Sequence, residues 1–311
     1  MQSDVESAQR RAFAAGLALA IGGSILFSGK AVVIKLAYRY GVDATTLIAL
    51  RMAFSLPFFV AALIWSSRGA QPFSRADHGR LIVIGLLGYY AASYLDFLGL
   101  QYVTAALERL ILYLSPTLVV ILSALFLRKR FGRHEWSALA LCYGGILLVF
   151  WHDVRLVGGQ VLLGSALVFA SAVCYAVYLI VSGELVRRLG AIRLTAYAMC
   201  VSSFAVFAQF AVLNPVATLL QPPEVYWLSL LNAVLCTVLP VFAMMLAVER
   251  IGASRASMAS MVGPVSTIAL AYLFLDERIT IWQLAGTALV LIGIYVLTRA
   301  GKVLAIKEEI A

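Results

Sequence analysis

The sequence predicts an all-α polytopic membrane protein of ten transmembrane helices, arranged as two inverted five-helix repeats. Three observations lead there: an apolar composition, ten apolar stretches of membrane-crossing length, and a gapless internal repeat. The 311 residues are 63% hydrophobic and 13% charged, with a mean hydropathy of +0.95. A soluble domain carries about 45–50% apolar and about 25% charged residues, so this chain lacks the polar surface to cover a soluble globule. The same composition excludes intrinsic disorder, which requires low hydrophobicity and high charge.

A hydrocarbon core about 30 Å thick needs roughly 20 helical residues. In the first half, stretches of about that length run near 12–34, 45–66, 80–100, 105–127 and 135–151. In the second half they run near 159–183, 192–213, 225–247, 253–275 and 281–298. Each is apolar all round, whereas barrel strands would alternate over segments of about ten residues. The first stretch follows Arg10 and Arg11 as a signal peptide would. It is too long for an h-region, however, and reaches Lys30 without an Ala-x-Ala-like exit, so it reads as the first span. The short connections leave no room for a soluble catalytic domain. All 5 Trp (Trp65, Trp136, Trp151, Trp227 and Trp282) fall at span ends, where an amphipathic ring suits the membrane–water interface.

Orientation follows from the 24 Lys and Arg residues. Lys30, Arg51 and Arg109 fall inside spans, and Lys35, Arg39, Arg155 and Arg278 on one side; the rest lie on the other. Basic residues favour cytoplasmic loops, which places both termini in the cytoplasm of a bacterial-type inner membrane. The net charge of +9 therefore records topology. It is not the basic stripe of a nucleic-acid-binding module, and no nucleic-acid partner is expected.

Sliding the chain by 148 residues lays one half on the other without gaps. Pro116 falls on Pro264, Phe126-Leu127 on Phe274-Leu275, Arg130 on Arg278, Gly145-Ile146 on Gly293-Ile294, and Gly16 on Gly164. The units are expected at 1–150 and 151–311. Because each holds five spans, an odd number, the second must enter the membrane from the opposite side. Inverted repeats of this kind are typical of secondary transporters with a substrate site near the midplane.

The segment Tyr272-Leu-Phe-Leu-Asp-Glu-Arg-Ile-Thr, followed by Gln283, Gly286 and Gly293, resembles the end of an EamA-type repeat of the drug/metabolite transporter superfamily. The first half is similar in Pro116 and Phe126-Leu127. It then has Arg128-Lys129-Arg130 where an acidic pair is expected, and in the second half Asp276 replaces the usual small residue. The resemblance implies ten helices, cytoplasmic termini and alternating access, usually for export of amino acids or other small metabolites. Exporters of amino acids, aromatic ones included, are the nearest specific expectation.

Several residues are candidates for that work. Pro116 and Pro264 lie mid-span at matched depth, where a proline loosens the helix and can act as a hinge. Pro240 is also deep in its span but has no counterpart. Gly16, Ala20, Ser24 and Ser28 form a small-residue stripe suited to close helix packing, with Ser24 and Ser28 alternatively facing a cavity. The phenols Tyr89, Tyr90, Tyr94, Tyr113, Tyr175 and Tyr178 cluster at mid-depth, and a phenol offers both a π face and a hydroxyl to an amphipathic substrate. Ser115 beside Pro116, and Met261 as an adaptable wall, complete the expected substrate-binding set. Lys30, Arg51, Asp96, Glu108 and Arg109 fall in the outer third of the first half and are expected to form an ion-pair network or outer gate, with direct substrate or proton handling, and simple interfacial placement in which Lys30 and Arg51 snorkel to water, as the alternatives. Thr280 with Gln283 should cap the last span, beside Glu277 in the outer turn.

Other chemistries lack their signatures. Gly23–Lys30 brushes against a P-loop but has the wrong spacing, lacks the Ser/Thr after the lysine and lies within a span. His78, His134 and His152 form no zinc motif, and Cys142, Cys174, Cys200 and Cys236 form no CxxC pair. No metal, cofactor or catalytic residue is expected. The expected partners are a small-molecule substrate and the lipid bilayer, with the chain a monomer or weak dimer. An exporter of amphipathic drugs or amines is the second transport reading, and an intramembrane enzyme the reading from another class.

Overall fold

The computed structural model describes residues 2–70, 72–127, 133–157, 159–251 and 253–310. Among these the regular elements are all helical. Helices α1 (Gln2–Tyr38) and α2 (Ala44–Ser67) are joined by a tight turn at Gly41, and Asp43 caps α2 by accepting from the Thr46 amide at 2.9 Å. Next, α3 (Arg75–Ile84) starts on a Ser74–Asp77 capping box and passes through a π-helical segment, Gly85–Ala91, into α4 (Ala92–Gly99). A broken column follows, of α5 (Ala105–Leu112) and α6 (Ser115–Leu127), and then α7 (Arg133–Val157).

The second half repeats this plan. It comprises α8 (Val161–Leu189), α9 (Ala191–Leu213), and α10 (Pro223–Ala233), which continues through a π-helical Val234–Val238 into α11 (Leu239–Ile251). Then come α12 (Ala253–Ala259), a 3₁₀ turn at Ser260–Val262, α13 (Gly263–Leu275) and α14 (Ile281–Ile310). Among the described residues eight helical columns are long and apolar enough to cross a membrane, and two shorter apolar ones cover Ser260–Leu275 and Ile281–Val296. The expected cap on α14 is present: the Thr280 amide donates to Gln283 Oε1 and the Gln283 amide to Thr280 Oγ1. Helices α1 and α14 run beyond the apolar stretches at the two chain ends, where Ala, Glu, Gln, Lys and Arg have good helix propensity. Arg128, Lys129 and Arg130, whose departure from the EamA-type pattern was noted above, lie outside the described residues.

Helix packing obeys an exchange between the halves. α1 lies against α11 and α13, and its counterpart α8 lies against α4 and α6; α2 pairs with α9, and α7 with α14. Individual contacts follow the same rule. A Cβ on Gly286 would come within 2.6 Å of the Gly145 carbonyl oxygen, and one on Gly293 within 2.9 Å of the Ala138 carbonyl oxygen. These two contacts exchange under the 148-residue shift. Cys142 Sγ donates to the Val290 carbonyl at 3.6 Å, and this pair maps onto itself. Close backbone approach through small residues is how helices associate where lipid removes the hydrophobic drive.

Four columns are irregular, again at matched positions. The two π segments occupy equivalent places, and in the second the Thr237 hydroxyl donates to the Asn232 carbonyl at 3.0 Å. The fourth column breaks at Tyr113–Leu114 and the equivalent one at Ser260–Val262, just ahead of Pro116 and Pro264 respectively. Proline cannot donate an amide to the preceding turn, so the break is a direct result of its place in the sequence.

Candidate functional site

A broken helix inside a membrane exposes backbone carbonyls that need partners. At the α12–α13 break those partners come from other helices. Ser24 Oγ of α1 donates to the Ser260 carbonyl at 2.7 Å, and Tyr113 Oη, at the end of α5, donates to the same oxygen at 2.5 Å. Ser28 Oγ donates to the Gly263 carbonyl at 2.9 Å. The α5–α6 break is handled locally: Ser115 donates to the Leu112 carbonyl and Thr117 to the Leu114 carbonyl. Ser24 and Tyr113 thus meet at one point, while Ser115 is turned to its own helix. Met261 sits in the 3₁₀ turn and packs, like Tyr113, on the apolar cluster around Leu110, Leu114 and Val168.

Lys30, Arg51, Asp96, Glu108 and Arg109 are all buried, and Arg109 reaches this junction through Ser28 and Tyr113. Lys30 Nζ is 2.5 Å from Asp96 Oδ2 and 3.2 Å from Glu108 Oε1, so one ammonium holds two carboxylates from α4 and α5. Arg51 stands over the Phe97 ring at 4.9 Å. Arg109 lies between Phe27, at 5.4 Å, and Tyr113, at 5.2 Å, and its Nη2 donates to Ser28 Oγ at 3.3 Å. A lone charge at the bilayer centre costs about 2.5–3.5 kcal/mol on insertion scales. The Lys30 bridge offsets that cost, whereas a cation over an aromatic face gains only about 0.5–2 kcal/mol.

The tyrosines divide into two groups. Tyr89 and Tyr178 hydroxyls are 3.1 Å apart, and Tyr175 stacks on Tyr178 with ring centroids 5.4 Å apart. Tyr90 and Tyr94 stack on each other, with centroids 6.5 Å apart and planes 8° apart, against the cluster around Ile34, Ile48 and Phe97. Tyr175 is 38% exposed and Phe27 36% exposed. Both rings nevertheless touch buried groups of the protein interior: Tyr178 for the first, Lys30 and Arg109 for the second. Together these side chains present apolar rings, hydroxyls and a guanidinium, a mixture suited to an amphipathic small molecule.

The sequence profile of the EamA-like transporter family matches residues 14–151 and again 162–299. The chain belongs to the EamA-like transporter family. The two matches begin 148 residues apart, the same interval that relates the packing contacts. Among curated proteins, an "Uncharacterized transporter YcbK" of Bacillus subtilis is 31% identical over 294 residues, covering 92% of this chain and 93% of that protein. An "Uncharacterized transporter" of Archaeoglobus fulgidus is 24% identical over 266 residues, covering 86% and 92%. One solved crystal structure has a similar fold, with a TM-score of 0.62 at 18% identity, covering 91% of this chain and 96% of its own. This is a multi-pass membrane protein of a transporter family.

Within the two EamA units some functional candidates escaped the sequence. Phe27 carried no signal by itself, but it stands 148 residues before Tyr175. Gly263 is the equivalent of Ser115, and a Cβ there would meet Tyr113 Oη at 2.4 Å, Arg109 Nη2 at 2.9 Å and Ser24 Oγ at 3.0 Å. A second polar layer joins the ends of α1, α5 and α13. Lys35 Nζ is 3.0 Å from Glu277 Oε1 and donates to the Val103 carbonyl at 2.8 Å, while Arg39 Nη2 donates to the Leu275 carbonyl at 2.9 Å. A cavity of about 400 Å³ opens beside it, between Lys35, Tyr38, Asp43 and Gln101. Among the described residues no cluster of three or more His, Cys, Asp or Glu is placed to hold a metal.

Proposed function

We propose that the chain exports amino acids, aromatic ones included, or related small metabolites from the cytoplasm across a bacterial-type inner membrane. Substrate binds where α1, α5 and the α12–α13 break meet, between units 1–150 and 151–311 of inverted orientation. The units alternate access by bending at Pro116 and Pro264, and the Lys30–Asp96–Glu108 network with Arg51 belongs to the outer gate. Both termini are cytoplasmic and the transporting unit is a monomer or weak dimer. The observation that carries this reading is the paired helix breaks: irregular backbone at membrane depth is tolerated where it lines a protein cavity, and half-helix ends at the repeat interface mark substrate sites in transporters. Tyr89, Tyr90, Tyr94, Tyr175 and Tyr178 supply the aromatic walls around the path.

Purified protein in vesicles, assayed for counterflow over a panel of amino acids, amines and sugars, tests the substrate. Saturable counterflow of amino acids is expected; movement of amines or sugars alone overturns it. Reporter fusions after residues 153 and 305 test the topology, with the first expected outside and the second inside.

A further inference from the structure

The buried charge cluster does not balance. Lys30, Arg51 and Arg109 bring three cations, and Asp96 and Glu108 two carboxylates, all buried. Both carboxylates are taken by Lys30. Arg109 has no acidic group within ion-pair distance among the described residues, is 6% exposed, and keeps its Nε without a hydrogen-bond partner. Its one polar contact is the neutral Ser28 hydroxyl. A guanidinium is a rigid fork of donors matched to a carboxylate, and burial strengthens such a pair. A permanent structural role would call for a permanent counter-charge, as Lys30 has; among the described residues Arg51 shares that lack, but it stands over Phe97, whereas Arg109 is tied to the α12–α13 break through Ser28 and Tyr113.

The surroundings of Arg109 are built closely around its guanidinium. Gly263 lacks the side chain that would press on Arg109 Nη2 and Tyr113 Oη. The rings of Phe27 and Tyr113 flank the guanidinium, and those of Phe27 and Tyr175 are more than a third exposed. The site thus pairs one surplus positive charge with apolar aromatic walls. The two nearby carboxylates, Asp96 and Glu108, are by contrast both within ion-pair distance of a cation, Lys30.

We propose that Arg109 is the binding group for one carboxylate of the transported molecule, and that the site selects amphipathic monocarboxylates whether or not they carry an amino group. This deepens the reading of the chain as an amino-acid exporter and rests on it. Arg109 then belongs to the substrate rather than to the outer gate. Bound substrate neutralises the surplus charge, and 2-oxo, 2-hydroxy and plain aryl carboxylates are ligands alongside amino acids.

The test uses thermal stabilisation of the purified full-length protein in detergent, with 3-phenylpropanoate as the acid lacking an amine and phenethylamine as the amine lacking an acid. Wild-type protein should be stabilised by 3-phenylpropanoate and not by phenethylamine. Arg109→Gln should weaken the acid's binding by about tenfold or more, the scale of one charge-assisted pair. Arg109→Lys keeps the charge and should retain part of that binding, which a merely structural role would not predict. Gly263→Ala, which crowds Nη2 without removing a charge, should weaken the acid in the same direction and serves if Arg109→Gln does not fold. Stabilisation by phenethylamine instead of the acid, or undiminished acid binding in Arg109→Gln, overturns the proposal. The vesicle panel separates the two readings. Amino-acid counterflow that is unchanged in Arg109→Gln leaves the exporter and removes the anchor. Arg109-dependent acid binding without counterflow of any amino acid leaves the anchor and removes the exporter.

Discussion

Two places in the molecule occupy equivalent positions and have opposite chemistry. In α1, Phe27 and Lys30 lie one turn apart; 148 residues later, in α8, stand Tyr175 and Tyr178. Each pair faces a π-helical column, and the small residue opposite differs only modestly: Gly88 packs on the Tyr178 ring, and Cys236 lies against Gly29 beside Lys30. The partners diverge completely. Asp96 and Glu108, which hold Lys30, are replaced by Met244 and Ala256. Tyr178 instead bonds to Tyr89, the counterpart of Thr237. A duplicated backbone supplies two similar cradles, and side-chain choice makes one ionic and the other phenolic. Chemistry is thus concentrated where the halves differ, and architecture where they agree.

The comparison is broken most sharply by Lys30→Met. Asp96 and Glu108 would then face each other without a cation, and removing one partner of a buried ion pair costs about 3–5 kcal/mol. Chemical or thermal unfolding in detergent should show that loss, and adding Asp96→Asn and Glu108→Gln should restore much of it. Wild-type stability in the single variant would mean that water already solvates the carboxylates, leaving shape as the difference between the two cradles.

At the phenolic end the largest effect should come from Gly88→Ala. The added methyl would lie 2.4 Å from Tyr178 Cγ, and overpacking of this kind costs about 1–3 kcal/mol. Replacing Cys236 with alanine, a smaller residue at the equivalent position, gives the contrast: its melting temperature should fall by less than that of Gly88→Ala. Equal losses would show that the two cradles are packed alike.

Tyr178→Phe removes one hydroxyl pair and keeps the ring. Side-chain hydrogen bonds between membrane helices average about 0.6 kcal/mol, so a drop of that order in unfolding free energy is expected. Tyr89→Phe should do the same, and the double variant little more, since both remove the same bond. A loss as large as that of Lys30→Met would erase the distinction between ionic and phenolic ends.

The smallest effect belongs to an exposed ion pair. Asp276 is 93% exposed and 4.0 Å from Arg39. Its backbone is left-handed, with φ 59°, which asparagine also tolerates. Asp276→Asn should therefore shift the melting temperature by no more than assay scatter, because screened surface pairs contribute little. A clear shift would place this exposed layer on the same footing as the buried cluster.

Much of the architecture was legible because it follows from solvent and repetition. Apolar length set the helices, Pro116 and Pro264 marked the breaks, and the gapless shift marked the two repeats, though not that α2 would pair with α9 and α7 with α14. Tyr175 stacks on Tyr178, and Tyr90 on Tyr94, as residues three and four apart on one helical face do. The meeting of Ser24 with Tyr113 was not legible. It depends on one carbonyl, that of Ser260, freed by a break and reached from two distant helices. Lys30 and Arg51 were near enough to the outer boundary for their stems to reach water, yet both are buried. Sequence separation says nothing about whether Asp96 and Glu108 come within reach of Lys30. Phe27 and Gly263 were invisible for the same reason, since their importance lies in what is beside them.

The buried cluster also constrains how the protein is made. All its members lie between residues 30 and 109, so they leave the ribosome within the first unit. Lys30 is synthesised well before Asp96 and Glu108, and until those arrive its ammonium is better kept near the interface by its long aliphatic stem. Once α5 has emerged, the lysine bridge can close among segments already made. Gly263, Tyr113's neighbour across the break, comes about 150 residues later. In the order of synthesis the partners of Lys30 are therefore complete first and the surroundings of Arg109 last, so a nascent chain lacks the Gly263 side of the Arg109 cradle until the second unit has been made.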